Sequence, residues 1–368
     1  MAADFQVDFY SLLVYALRIE FERGGHVMWS RDIGVDLGTA NSLVYCKGKG
    51  IVIQEPSVVA INKDTNQILA VGEEAKQMIG RTPGNIIAIR PLRDGVIADF
   101  DIARVMLQSF IKKAMSTGKN YKWSKPRVVV GIPSGITNVE KKAIIDAVIQ
   151  AGGREAYLIE EPVAAAIGVK MPITEPIGNM IVDIGGGTTD VAIISLGGIV
   201  VSNSTKVAGN EMDDAIIRYV KNRHNLLIGE RTAENIKIQI GTAMNPIDDI
   251  EMAVSGRDLA TGLPRTIQLK SSECYLAIRD AVRQIVNVVK QTIEACPPEL
   301  VSDILEHGIV LAGGGALLNN LDTMLSKETG VPVMVAENAL TAVVEGTGIA
   351  LEELEIYKSI LKDRRSDA

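Results

Sequence analysis

The sequence carries one pattern twice. Asp32 to Val44 reads DIGVDLGTANSLV, and Met180 to Ala192 reads MIVDIGGGTTDVA. Each is an apolar strand, an aspartate, an apolar residue, glycine, a small polar turn and a second strand. The two aspartates, Asp36 and Asp183, stand 147 residues apart. Solenoid repeats recur at about 20 to 50 residues, so this spacing points to two similar halves instead. A chain of 368 residues is also too long for one compact core.

The body alternates strand-like and helix-like runs, the pattern of an α/β protein. Arg127 to Ile132 (RVVVGI) is expected as a buried strand, Asn138 to Ala151 as the helix after it, and Met180 to Asp183 and Val191 to Ser195 as strands. Glu273 to Cys296 is expected as a long helix stopped by Pro297 and Pro298. Aromatics are only 4% of the chain, so Val, Ile, Leu and Ala must build the core. Such residues suit parallel sheets covered by helices.

Glycine tips have a chemical use. Gly38-Thr39-Ala40-Asn41 and Gly185-Gly186-Gly187-Thr188-Thr189 leave backbone N–H groups open to close approach, as a phosphate chain requires. A tight β-turn explains either tip alone equally well; the duplication favours a two-sided phosphate clamp. Asp36 and Asp183 would repel phosphate unless a cation stood between, and Mg²⁺ binds through few carboxylates plus phosphates. The plainer reading is that each aspartate steadies its turn. Gly313-Gly314-Gly315 follows the strand Ile309 to Leu311 and precedes a helix, the geometry that seats nucleotides. Thr137-x-x-Glu140 fits a helix capping box, and spacing alone favours that role over positioning a water for phosphoryl transfer. There is no G-x-G-x-x-G, Walker A loop or kinase signature.

These residues resemble the actin, DnaK chaperone and sugar kinase superfamily, whose two phosphate hairpins, two connecting segments and adenosine motif all occur here in order. DIGVDLGTANSLVY is similar to the first phosphate motif and IVDIGGGTTDVAIISLGG to the second. LIEEPVAAAIG and LTAVVEGTGIAL are similar to the connecting helices, and GIVLAGGGALLNNLD to the adenosine motif. Within the superfamily, RPLRDGVIADFD, GIPSGITNVEKKAIIDA, GERTAENIKIQIG and PPELVSDILEHGIVLAGGGALL resemble the MreB-type bacterial actins, over about residues 29 to 358. Plasmid-segregating and division actins match these phrases less well, and no substrate-binding polar set of a kinase is visible.

The resemblance implies duplicated actin-like (ribonuclease-H-like) α/β domains, each with a small inserted subdomain, around a nucleotide cleft. Residues 1–28 would be an extension, 29–172 plus 345–368 domain I, and 173–344 domain II. It implies ATP and Mg²⁺, with Asp36 and Asp183 holding the metal through water. Gly38, Thr39, Ala40, Asn41, Gly185, Gly186, Gly187 and Thr188 would meet phosphate. Glu234 and Lys237 would meet ribose and adenine, Gly313, Gly314, Gly315 and Ala316 would seat the adenosine, and Glu140 would be the catalytic glutamate. One departure is Ala339, where the second connecting segment usually carries proline; it bears on hinge geometry. The activity implied is not a metabolic enzyme's. It is slow ATP hydrolysis coupled to homopolymer filaments that lie on the inner face of the cell membrane and organise rod-complex cell-wall synthesis proteins, setting rod shape.

A membrane-facing element is expected in STGKNYKWSKP, where Tyr121 and Trp123 sit among lysines. Trp29 would join the same face. Phe9 to Phe21 is too short to span a bilayer and contains Arg18 and Glu20. The first 27 residues read either as an amphipathic membrane helix or as an extension ahead of a start at Met28, the second being favoured because charges fall on several helix faces. A net charge of −7 argues against nucleic acid as a partner. Cys46, Cys274 and Cys296 are odd in number and have no metal spacing, which fits a reducing cytoplasm.

Overall fold

The computed structural model describes residues 32–116 and 125–366, with side chains as far as 361. Trp29, Tyr121, Trp123 and the N-terminal extension lie outside the described residues.

The first half opens with a three-strand meander, β1 (Ile33–Leu37), β2 (Asn41–Cys46) and β3 (Gly50–Pro56). A small sheet follows, made of β4 (Val59–Asn62), β5 (Ile68–Val71) and β6 (Ile86–Ile89), with helix α1 (Glu73–Met78) lying on it. The short hairpin β7 (Leu92–Arg93) and β8 (Val96–Ile97) leads to α2 (Phe100–Met115), β9 (Arg127–Ile132), α3 (Asn138–Gln150), β10 (Glu155–Glu160) and α4 (Glu161–Gly168).

The second half repeats the plan. Its meander is β11 (Asn179–Ile184), β12 (Thr189–Ser195) and β13 (Gly198–Thr205), followed by α5 (Gly209–His224). Its small sheet is β14 (Leu226–Leu227), β15 (Glu251–Asp258) and β16 (Pro264–Lys270), with α6 (Glu230–Ile240) inserted. Then come α7 (Ser271–Glu294), α8 (Pro298–His307), β17 (Ile309–Ala312), a 3-10 turn at Gly314–Leu317, α9 (Leu321–Thr329) and β18 (Val333–Val335). The chain closes with α10 (Ala342–Glu352), α11 (Leu354–Tyr357) and β19 (Lys362–Ser366).

The two main sheets are ordered β19-β10-β9-β1-β2-β3 and β13-β12-β11-β17-β18. In each, the first strand of the meander pairs antiparallel with the second and parallel with a later strand: β1 with β9, and β11 with β17. Asp36 stands opposite Leu43 and Gly131, and Asp183 opposite Asp190 and Ala312. The duplicated sequence is therefore a duplicated fold, with the aspartates at equivalent places near the ends of equivalent strands. The central strands are apolar runs, and β11 is buried along its whole length. Helices cover both faces, which lets Val and Ile occupy consecutive positions.

Each half has its own core. A third core joins them: Val129 and Ile159 from one sheet meet Ile181 and Ala192 from the other around α4 and α10. These two helices are rich in Ala and Gly, and the small side chains let their backbones approach closely. Pro297 and Pro298 end α7 as expected, and Pro298 also opens α8, where its missing N–H costs nothing. Among the described residues no helix is long and apolar enough to cross a membrane.

Candidate functional site

The two glycine tips meet. A Cβ placed on Gly186 would lie 2.6 Å from the Cβ of Ala40, and one on Gly187 would lie 2.6 Å from Thr39 Oγ1. Only residues without a side chain allow the hairpins to come this close. Each tip is tied down from behind. Ser57 Oγ donates to the Gly38 carbonyl at 2.6 Å, and Ser57 N–H donates to the Ala40 carbonyl at 3.0 Å. On the other side the Gly185 N–H donates to the Thr188 carbonyl (2.9 Å), and the first turn of α5 rests on the tip through Gly209 and Asn210 N–H groups, which donate to the Gly185 and Gly186 carbonyls. Asn41 opens β2 and is exposed.

Behind the tips, on and beside the strands that lead into them, lies a group of carboxylates. Burial pushes the Asp183 carboxyl well above its ordinary range, and Asp36 and Asp190 push it further. Asp36 keeps a partly open edge yet sits so deep between the halves that desolvation raises its carboxyl to about 7. Two more acids join them. Glu161 opens α4 and is raised by burial first, then by Asp190, Asp36 and Asp183. Asp190 on β12 is raised to about 6 by burial, against the opposing pull of the Ser134 N–H, which donates to it at 2.9 Å. Sequence reasoning missed Glu161 and Asp190. Both stand in segments already quoted, the EEP of the first connecting segment and the Asp that closes GGGTTD, but nothing in those segments records their burial.

Carboxyls buried together in this way either keep their protons or ionise against a cation. Among the described residues no group of three or more His, Cys, Asp or Glu side chains is arranged to hold a metal by itself. Two carboxylates beside phosphate-ready tips do fit an ion that keeps most of its waters, and Mg²⁺ is such an ion.

The third glycine cluster borders the same space. Gly313 takes φ of 80°, and a Cβ there would lie 2.5 Å from Asp183 Oδ1, so only glycine serves. The 3-10 turn that follows contains Gly314, Gly315 and the buried Ala316, and Gly315 packs on Ile184. Lys237 of α6 reaches the first turns of α5, which rests on the second tip: its Nζ donates to the Gly209 carbonyl (2.9 Å) and pairs with Asp213 (2.9 Å). Burial raises the Asp213 carboxyl to about 6 although Lys237 pulls it down. Asp213 was not singled out from sequence.

Two predicted residues have other partners. Glu234 lies one turn from Lys237 but pairs with Lys76 of the first half at 3.0 Å. Glu140 turns back on its own helix: Thr137 N–H and Oγ1 donate to its carboxylate at 2.7 and 2.8 Å, and its own N–H donates to Thr137 Oγ1. Both arms of the capping box are thus made, and they hold the Glu140 carboxyl below its ordinary range. The structure brings together Asp36, Gly38, Thr39, Ala40, Asp183, Gly185, Gly186, Gly187, Thr188 and Gly313.

Comparison with known proteins bears on the fold and the family. Residues 30–359 match the family described as MreB/Mbl protein. The chain is 53% identical to the cell shape-determining protein Mbl of Bacillus subtilis, over 89% of this chain and 98% of that one. It is also 53% identical to the cell shape-determining protein MreB of Escherichia coli, over 90% and 96%. The crystal structure of MreB5 of Spiroplasma citri bound to AMPPNP superposes with a TM-score of 0.82 at 41% identity, covering 89% of this chain and 97% of that chain. The MamK double helical filament shares the fold, with a TM-score of 0.74 at 23% identity, over 87% and 98%. A duplicated actin-like fold and a match along nine-tenths of the sequence lead to one conclusion: the chain belongs to the MreB/Mbl family of cell shape-determining proteins.

Proposed function

We propose that the cleft binds ATP with Mg²⁺, and that ATP binding drives the chain into homopolymer filaments on the inner face of the cell membrane. The observation that carries this reading is the meeting of two glycine tips over Asp36 and Asp183. It draws support from MreB5 of Spiroplasma citri, which has been crystallised with AMPPNP and with ADP. The tips would donate backbone N–H groups to the phosphates, and Asp36 and Asp183 would hold the hydrated ion. Mg²⁺, when bound, neutralises charge on the phosphate chain. Gly313 to Ala316 would receive the adenosine, and Lys237 and Glu234 its base and ribose.

In this reading hydrolysis is slow, and the protein's part in it is to position the attacking water. Glu140 would orient the attacking water, and to do so its carboxylate must leave Thr137. Cleft closure around ATP would favour the filament-competent form. The filament would act from the cytoplasm as a peripheral membrane protein, with Trp29, Tyr121 and Trp123 as lipid contacts. There it would organise rod-complex cell-wall synthesis proteins and so determine rod shape.

The test is sedimentation with ATP, ADP or neither, followed by electron microscopy on anionic lipid. Pelleting and lipid-bound filaments only with ATP are expected. Equal pelleting in all three conditions would contradict ATP-driven assembly.

A further inference from the structure

Glu230 and Glu234 stand four residues apart on α6, one turn from each other on one helix face. Two carboxylates so placed repel one another. The cations that relieve them come from the other half of the molecule. Lys76 on α1 pairs with Glu234 at 3.0 Å, and Arg90, just after β6, pairs with Glu230 at 3.1 Å. The α6 lysine, Lys237, is turned away, toward Gly209 and Asp213.

Position along the helix gives these pairs a place in the cleft. Lys237 touches Gly209, in the first turn of α5, which rests on the second glycine tip. At about 1.5 Å per residue, Glu234 lies one turn further out and Glu230 two turns, roughly 10 Å from Lys237. The pairs therefore join the small subdomains of the two halves, one and two turns along α6 from the lysine that contacts the support of the second tip. Between them lies a small, partly open cavity of about 30 Å³, room for water-sized occupants only, lined also by Ile79, Arg81 and Arg231. Both small elements are firmly held: Ala75, next to Lys76, packs into the cluster of Val58, Ala60 and Ala70, while Ala233 and Ile236 of α6 are buried in the second core.

We propose that Lys76 and Arg90 are positioning residues of the nucleotide site, which close a two-pair latch across the cleft mouth on Glu234 and Glu230. This rests on the reading of the cleft as an ATP site. Glu234 then serves two partners: Lys76 when the latch is shut, and the ribose hydroxyls of an adenosine nucleotide. Nucleotide enters or leaves as the pairs part, so the latch sets exchange rate more than affinity. Both pairs are partly exposed, with side-chain exposures of 26% and 31% for Lys76 and Glu234, and 32% and 59% for Arg90 and Glu230. Each should therefore slow exchange by roughly fivefold at most.

The experiment is stopped-flow release of etheno-ATP, whose ribose is unmodified, chased with excess Mg-ATP. Wild type is compared with Arg90→Glu, Glu230→Arg, the double exchange and Lys76→Met. Equilibrium binding of Mg-ATP is measured alongside by calorimetry. Each single charge change should speed both association and release by about three- to fivefold, and the double exchange should restore wild-type rates. Raising salt from 0.05 to 0.5 M should speed release from wild type and leave Lys76→Met combined with Arg90→Gln unmoved, a readout that a merely structural loss would not give. Unchanged rates in the single variants, or a double exchange no slower than either single, would overturn the latch. Failure of wild type to bind Mg-ATP at all would instead overturn the nucleotide reading beneath it.

Discussion

Replacing Gly346 by alanine sets two physical rules against each other. Gly346 lies inside α10, where alanine is ordinarily favoured over glycine by about 1 kcal/mol. Here, however, α10 crosses α4 at backbone contact. A Cβ on Gly346 would stand 2.5 Å from the Ala164 carbonyl carbon, and closer still to its oxygen. The contact is reciprocal, since a Cβ on Gly168 would stand 2.8 Å from the Ala342 carbonyl carbon. Unbonded carbons settle at about 3.5 to 4.0 Å, so the helices must part by roughly 1 Å. That separation loosens the core shared by both halves, which includes Ala165, Ile167 and Val343. Overpacking costs about 1 to 3 kcal/mol. A clash with backbone belongs at the upper end of that range, so after the helix gain the net loss should be about 2 kcal/mol, or roughly 2 to 3 °C in Tm for a chain of 368 residues. Thermal unfolding followed by intrinsic fluorescence measures it. Gly84→Ala is the control, because nothing lies within 4 Å of a Cβ there; it should shift stability by less than about 0.5 kcal/mol. A Gly346→Ala protein with a Tm equal to or above wild type would refute the crossing argument.

Other outcomes follow from the site. The carboxyls of Asp36 and Asp190 are raised to about 7 and about 6, so the folded chain holds protons that the unfolded chain has released. The stability this gives is fully present below about pH 4 and is lost as pH rises through 7. With nucleotide and metal removed by EDTA, Tm should therefore rise on acidification from pH 8 to 6, and Asp36→Asn should flatten that rise; a wild-type Tm that falls over this range contradicts the burial argument. Glu140→Ala removes half a capping box and should cost about 1 kcal/mol in chemical denaturation. Glu140→Gln keeps an acceptor for the cap and should still lose ATP turnover; undiminished phosphate release would leave Glu140 as a cap alone. Tyr121→Ala with Trp123→Ala should float less with anionic liposomes than wild type, and equal flotation would remove that segment's membrane role.

Much of the fold was legible because its signals are local. The strand RVVVGI spans Arg127–Ile132 as read, and the helix after it ends at Gln150, one residue short of the expected Ala151. The repeat around Asp36 and Asp183 announced the duplication, since turn chemistry and strand alternation survive in both copies. Elements without such signals were missed. β13 is an edge strand whose burial alternates half-buried with exposed, and its polar Ser202, Asn203 and Ser204 give no apolar run to mark it. α8 was hidden by the proline pair that was read only as a stop. At the site, the tips and their aspartates were legible. Glu161, Asp190 and Asp213 were not, because a carboxylate's burial depends on which elements close over it, and no short motif records that. The pairing of Glu234 with Lys76 spans 158 residues and two halves, beyond the reach of any pattern within one helix.

Titration of ATP into the protein by calorimetry, with and without Mg²⁺, for wild type, Asp36→Asn and Asp183→Ala, tests the cleft most directly. Wild type should bind ATP tightly only with the metal present, and both variants should lose that metal-dependent gain. Metal-dependent binding of equal strength in all three proteins would contradict the assignment of Asp36 and Asp183, and with it the clamp on which ATP-driven assembly depends.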